Sequence, residues 1–141
     1  MLRTLALDMG ASTGWAISNP LVHGVQKIKN TGGRRWIEFR DWLFDTISEH
    51  GIERVVIETP QVRYYHASKA LFGYMATVEM VCEITGCELG EYKATQIKKF
   101  ATGGGRATKD EMLEAARVRW GHVEKHDEAD ALWLLELSEG L

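Results

Sequence analysis

Proline is scarce in this chain: Pro20 and Pro60 are the only two in 141 residues, and no Ser- or Pro-rich stretch forms a linker. Nothing divides the sequence, and its length suits one compact unit, so residues 1–141 are expected to form a single domain. Long apolar runs are missing as well. None approaches the ~20 residues that a membrane helix needs, and the opening Met1-Leu-Arg-Thr-Leu-Ala-Leu-Asp8 meets a carboxylate too early for a secretion signal. An intracellular, cytoplasmic protein is expected. Cysteine is also limited: Cys82 and Cys87 have no further partners to complete a zinc site, and reduced thiols are expected. Nor is there a surplus of positive charge. With 17 Lys and Arg against 20 Asp and Glu the net charge is −3, which excludes a uniformly basic nucleic-acid binder. A local basic face is still compatible with that balance, because Lys93 to Lys125 holds eight bases against four acids.

What is present alternates between strand and helix signals. Leu2 to Leu7 is a short apolar run ending at Asp8; Gly10, Thr13 and Gly14 then turn the chain into Trp15-Ala-Ile-Ser18, a hairpin pattern. Gly24 to Lys29 reads as a third, exposed strand, and Gly32-Gly33 breaks it. Arg34 to His50 carries Trp36, Ile37, Phe39, Leu43, Phe44 and Ile47 near a 3.6 period, an amphipathic helix that Gly51 terminates. Arg54-Val-Val-Ile57 is a β-branched strand delivering Glu58, and Thr59-Pro60 stops it. Ala67 to Ile84 reads as helix, Glu88 to Tyr92 as a fifth strand and Thr95 to Phe100 as a short helix. After the loop Thr102-Gly-Gly-Gly-Arg-Ala107, Thr108 and Glu111 form a capping box that opens a helix to about Trp120; Asp127 to Leu137 closes the chain as a last helix. A three-strand meander followed by alternating helices and strands indicates an α/β fold with a mixed central sheet.

Four carboxylates sit where this pattern has a reason to hold them. Asp8 and Glu58 end the first and fourth strands, and open α/β sheets place their sites outside such strand ends. Asp127 and Asp130, three apart on the last helix, face the same way. Asp8 alone can serve as a turn cap and Asp127 as a helix N-cap. Glu58 after a buried strand and Asp130 among Ala129, Ala131 and Leu132 have no such ordinary use. Clustered acids repel and raise one another's pKa, and a divalent cation relieves that repulsion. Magnesium favours carboxylate oxygen and keeps waters, and a pair of ions can clamp the attacking and leaving oxygens of a phosphodiester. His126 is a further candidate, as an outer group or fourth ligand; as an alternative it is a solvated histidine.

Taken together, Leu7-Asp8-Met-Gly10 with Thr13-Gly14, Val56-Ile-Glu58, Gly103-x-Gly105-x-Ala107-x-Lys109 and Asp127-Glu-Ala-Asp130-Ala-Leu132 resemble the RuvC family of Holliday-junction resolvases, in its order and over nearly the whole chain. The resemblance implies a ribonuclease H-like fold, with a three-strand antiparallel meander plus two parallel strands flanked by helices. It implies an endonuclease that nicks four-way junctions symmetrically, leaving 5′-phosphate and 3′-hydroxyl ends. Asp8, Glu58, Asp127 and Asp130 are then the catalytic metal-binding quartet for two Mg2+, with Mn2+ as a substitute. Lys109 matches the family's catalytic lysine and Lys98 its second essential one. DNA contacts are expected from Lys98, Lys99, Arg106 and Lys109, and from Arg63, Tyr64 and Tyr65, which fill the segment where the family carries a wedge near the junction centre. Pro60 and the longer approach to these aromatics depart from the family pattern. The modest length and acidic pI resemble phage-type or compact members. The family's homodimeric state implies a dimer here, with Ala67 to Ile84, carrying Phe72, Tyr74 and Met75, as the candidate interface; core packing is the other use of that helix.

Other functions compete. A related nuclease for other branched DNA or for RNA shares the acids. Asp8-x-Gly10-x-x-Thr13-Gly14 also reads like the phosphate loop of actin-like sugar kinases and ATPases, although those need two such domains. A non-catalytic junction binder would ordinarily have lost one or more of the four acids.

Overall fold

A computed structural model describes residues 2–61 and 65–140, side chains of 65–67 excepted. Five strands, β1 (Thr4–Asp8), β2 (Ser12–Ile17), β3 (Val22–Lys27), β4 (Arg54–Glu58) and β5 (Glu88–Tyr92), form one sheet in the order β3-β2-β1-β4-β5. β1, β2 and β3 pair antiparallel, whereas β4 and β5 run parallel to β1. This is the expected meander plus two parallel strands.

Position in the sheet explains the sequence of β1. As the central strand it is covered on both faces, so Leu5, Ala6 and Leu7 are all fully buried and the strand reads as an apolar run without alternation. The pleat sends Leu5, Leu7, Ile17, Val55 and Ile57 to one core and Ala6, Ala16 and Val56 to another. Helices α1 (Gly32–His50) and α2 (Tyr65–Thr85) cover the first face; α3 (Ala94–Thr102), α4 (Lys109–Trp120) and α5 (His126–Ser138) cover the second.

On the first face α1 buries Phe39, Leu43 and Ile47, one per turn, and ends at Gly51 with φ 62°. Trp36 of α1 packs against Gly73 of α2, where any Cβ would come within 2.3 Å of the indole. Tyr74 beside it meets Trp36 and Phe39 edge-on, each with centroids 4.9 Å apart, and is 2% exposed. Tyr74 and the half-buried Met75 thus belong to the core; among the described residues of α2 the large apolar side chains left exposed are Phe72, Met80 and Ile84. On the second face α5 is buried almost all round, through Ala129, Ala131, Leu132, Leu134 and Leu135.

The boundaries differ from expectation where pairing decides them. β2 starts at Ser12 because Thr13 and Gly14 pair with Gln26 and Val25 of β3. β3 lies two residues earlier than its alternation indicates, since Val22 pairs with Ile17 directly after the turn. α2 starts at Tyr65, ahead of Ala67. Among the described residues no helix is long and apolar enough to cross a membrane.

Candidate active site

Asp8 and Glu58 are the last residues of two parallel neighbours, β1 and β4, whose register pairs Leu7 with Ile57. The sheet therefore delivers both carboxylates side by side at one end. Asp127 and Asp130 arrive from above on α5, at its second and fifth positions, so Asp130 stands just past the first turn.

Gly14 makes that arrival possible. It pairs with Asp8 across the β1–β2 ladder, and a Cβ built on it would lie 1.9 Å from the carbonyl oxygen of Asp127. Only a residue without a side chain lets α5 descend so closely onto β2. A second device, one that no local sequence pattern marks, fixes the same helix start. Glu128 is only 7% exposed; one carboxylate oxygen accepts the Glu124 amide at 3.1 Å and the other pairs with His23 Nδ1 on β3. A buried carboxylate carrying no partner would cost several kcal/mol; held on both oxygens, it ties the α5 N-terminus to the sheet. The turn before Gly14 is closed by Thr13, whose hydroxyl donates to the Gly10 carbonyl at 2.7 Å and accepts the Gly10 amide at 3.3 Å. That hydroxyl is engaged within the turn, unlike a free phosphate-loop donor.

All four acids line one groove of about 790 Å³, together with Lys98, Arg106, Lys109, Thr95, Gln61 and Leu71. Beneath it, Leu7, Ile97, Met112 and Leu134 form an apolar floor under Asp8, Glu58 and Asp130. Burial on that floor, reinforced by the charges of Asp130, Asp127 and Glu58 and by a hydrogen bond with Asp127, holds the Asp8 carboxyl well above the usual carboxylate range. Asp130 is pushed up to about 6 by burial and then by Glu58, with Lys109, Asp127 and His126 as smaller influences of mixed sign. Glu58 is raised by burial, and Lys98 and Lys109 oppose the rise.

The two lysines are therefore electrostatic partners of the acids. Lys109 opens α4 directly behind the Thr108–Glu111 capping box, with reciprocal bonds of 3.1 and 3.0 Å. A cation at a helix N-terminus opposes the dipole, and the facing carboxylates compensate it. Lys99 is exposed and does not line the groove among the described residues. Arg63 and Tyr64 lie outside the described residues, as does the side chain of Tyr65. His126 bonds Asp110 of α4 through Nε2 at 2.9 Å, which places it beside the quartet as a partner of another acid.

As they stand, no three His, Cys, Asp or Glu side chains among the described residues are arranged to enclose an ion. The donor chemistry fits a hard divalent cation nevertheless: carboxylates alone, three of them with raised pKa, above an apolar floor. Turning Asp and Glu side chains about their own torsions is a small adjustment compared with the repulsion an ion would remove.

No family model matches the chain. Individual relatives do. A crossover junction endodeoxyribonuclease RuvC from the Wolbachia of Brugia malayi is 33% identical, over 94% of this chain and 90% of that protein. The protein of the same name from Gluconacetobacter diazotrophicus is 29% identical, over 94% and 86% respectively. Among solved structures, Thermus thermophilus RuvC in complex with a Holliday junction substrate superposes with a TM-score of 0.79 at 18% identity, covering 95% of this chain and 90% of that one. A yeast mitochondrial Holliday junction resolvase reaches 0.58 at 14% identity, covering 94% and 75%. The structural likenesses establish the fold.

Proposed function

The chain belongs to the RuvC family of crossover junction endodeoxyribonucleases, and from that premise we propose that it acts as one nuclease domain over 1–141 and resolves four-way DNA junctions by phosphodiester hydrolysis. The observation that carries this reading is the convergence of Asp8, Glu58, Asp127 and Asp130, from three elements, on one groove with Lys98 and Lys109. The four acids would hold magnesium, two ions with manganese as a substitute, and such ions supply an activated water and neutralise charge on the phosphate.

The chain's own residues do the rest. Rigid strand ends fix Asp8 and Glu58, and the Gly14 and Glu128 contacts fix the α5 acids. The apolar floor keeps the local dielectric low, so each charge acts more strongly than it would in water. As the oxygen of a water bonds to phosphorus and the bond to the 3′-oxygen breaks, negative charge grows on the phosphoryl oxygens. Lys109 and Lys98, already facing the carboxylates, are placed to stabilise it. The leaving oxygen takes a proton, giving 3′-hydroxyl and 5′-phosphate ends. Arg106, further along the groove, fits a flanking phosphate.

A homodimer is part of the same reading. Phe72, Met80 and Ile84 leave an exposed apolar face on α2, and a two-fold protein presents two identical sites to a two-fold substrate.

Asp8→Asn and Asp130→Asn test the site. Each is expected to lower magnesium-dependent junction cutting by on the order of 10³-fold while junction binding in calcium persists. Normal cutting by both variants would remove the acids from the catalytic centre.

A further inference from the structure

The α3–α4 side of the groove was legible as basic from the sequence. The opposite flank was not. β3 runs antiparallel to β2, so Lys27, paired with Ser12, sits at the same end of the sheet as Asp8. The chain then passes Lys29 and enters α1 with Arg34 and Arg35, also at that end because α1 returns towards the start of β4. Residues 27–38 hold four bases and one acid, Glu38, within a chain of net charge −3.

The one acid is already engaged. Glu38 accepts the backbone amides of Lys29 and Asn30 at 3.0 and 2.9 Å and the Asn30 side-chain amide at 2.7 Å. It shapes the loop and faces Lys29 without forming a side-chain ion pair with any of the four bases. Arg35 is held with its guanidinium 4.1 Å from the Trp36 ring centroid, and its buried Nε has no hydrogen-bond partner. Lys27, Lys29 and Arg34 are exposed. Two arginines in the first turn of a helix, with no acid there, oppose the helix dipole. Such a surplus, four cations facing a single acid whose oxygens are already taken up by amides, has a use when polyanion lies across it.

We infer that Lys27, Lys29, Arg34 and Arg35 form a second phosphate-binding surface, for the duplex arm flanking the cut. The inference rests on the junction-cutting reading and adds a location to it. β3 is two strands from β1, roughly 10 Å, and that distance is about three base pairs of duplex rise. A DNA arm with its scissile phosphate over Asp8 would thus have Lys98, Arg106 and Lys109 on one side and this cluster on the other.

Junction binding by the full chain, measured in calcium over a range of salt, tests it. Losing a phosphate contact lowers the slope of log K against log salt by about 0.9. The double variant Lys29→Gln/Arg34→Gln is expected to lower it by 1 to 2 and to weaken binding at least tenfold near 0.1 M salt. Arg40→Gln, further along α1 where Arg40 pairs with Asp41 at 2.9 Å, is expected to keep the wild-type slope. Trimming the flanking arm to fewer than about three base pairs should abolish the difference between wild type and the double variant. A wild-type slope in the double variant overturns the surface, as does an equal loss in Arg40→Gln or a difference that survives trimming. Failure of the wild-type protein itself to bind the junction overturns the functional reading, and this surface with it.

Discussion

At the level of single residues, the clustered acids work against the stability of the metal-free fold. Asp130 titrates at about 6 in the folded chain against 3.8 as an ordinary aspartate. Between about pH 4 and pH 6 the folded state keeps a proton that the unfolded state has lost. Stability without metal is therefore greatest below that window and declines as pH rises through it. Asp130→Asn removes the charge altogether. In EDTA at pH 7.5 its melting temperature is expected to rise by about 2–6 °C, equivalent to roughly 1 kcal/mol, and its pH dependence to flatten between 4 and 6. Thermal melts of both proteins across that range check this; a lower melting point for Asp130→Asn at pH 7.5 contradicts a strained acid cluster. Cys82 shows the opposite case of a buried group without a task. Burial pushes its thiol up to about 12, which agrees with the inert, reduced cysteine expected from its lack of partners.

At the scale of elements, the site depends on how closely α5 meets the sheet. Gly14→Ala places a methyl group inside the backbone of Asp127, and backbone cannot rotate away as a side chain can. The helix start must lift, carrying Asp127 and Asp130 off Asp8. A destabilisation of about 1–3 kcal/mol and a cutting rate reduced by at least 10²-fold are expected, measured by denaturant melts and single-turnover cleavage; near-wild-type cutting would show that the close approach is dispensable. Much of this level was legible in the chain. The capping box at Thr108–Glu111, Gly51 after α1 and the β-branched run before Glu58 are local signals, and each element they mark is where they place it. Register is not local. β2 and β3 shifted because strand pairing, rather than their own alternation, sets their ends. The Glu128–His23 contact joins residues 105 apart in sequence, and a glutamate beside Asp127 at a helix start reads only as a favourable dipole partner. Tyr74 illustrates the same limit: an aromatic on a helical stripe suits an interface or a core equally, and only the position of α1 decides.

At the scale of the whole molecule, the sheet end gathers what the sequence scatters. The acid quartet is legible because strand ends and i, i+3 spacing carry chemical meaning; the cations of the β3–α1 turn are not, because a lysine-rich exposed strand followed by Gly-Gly looks like any solvated edge. Assembly of the molecule draws on the apolar face that α2 leaves exposed, if the proposed dimer forms. Met80→Asp puts a charge among Phe72, Met80 and Ile84, and if the chain pairs through this face as proposed, sedimentation at micromolar concentration is expected to show a dimer for the wild type and a shift towards monomer for the variant; a monomeric wild type, or an assembly that the variant leaves unchanged, contradicts the proposed interface.

The most direct test is cleavage of a mobile four-way junction in magnesium by the intact protein, with nick positions mapped on all four strands beside linear duplex and RNA–DNA hybrid controls. Paired nicks at symmetric positions on two opposing strands, with the controls left intact, are the predicted result. Equal cutting of the hybrid, or an intact junction in the hands of a folded, magnesium-supplied protein, would contradict a junction-resolving site built on these acids.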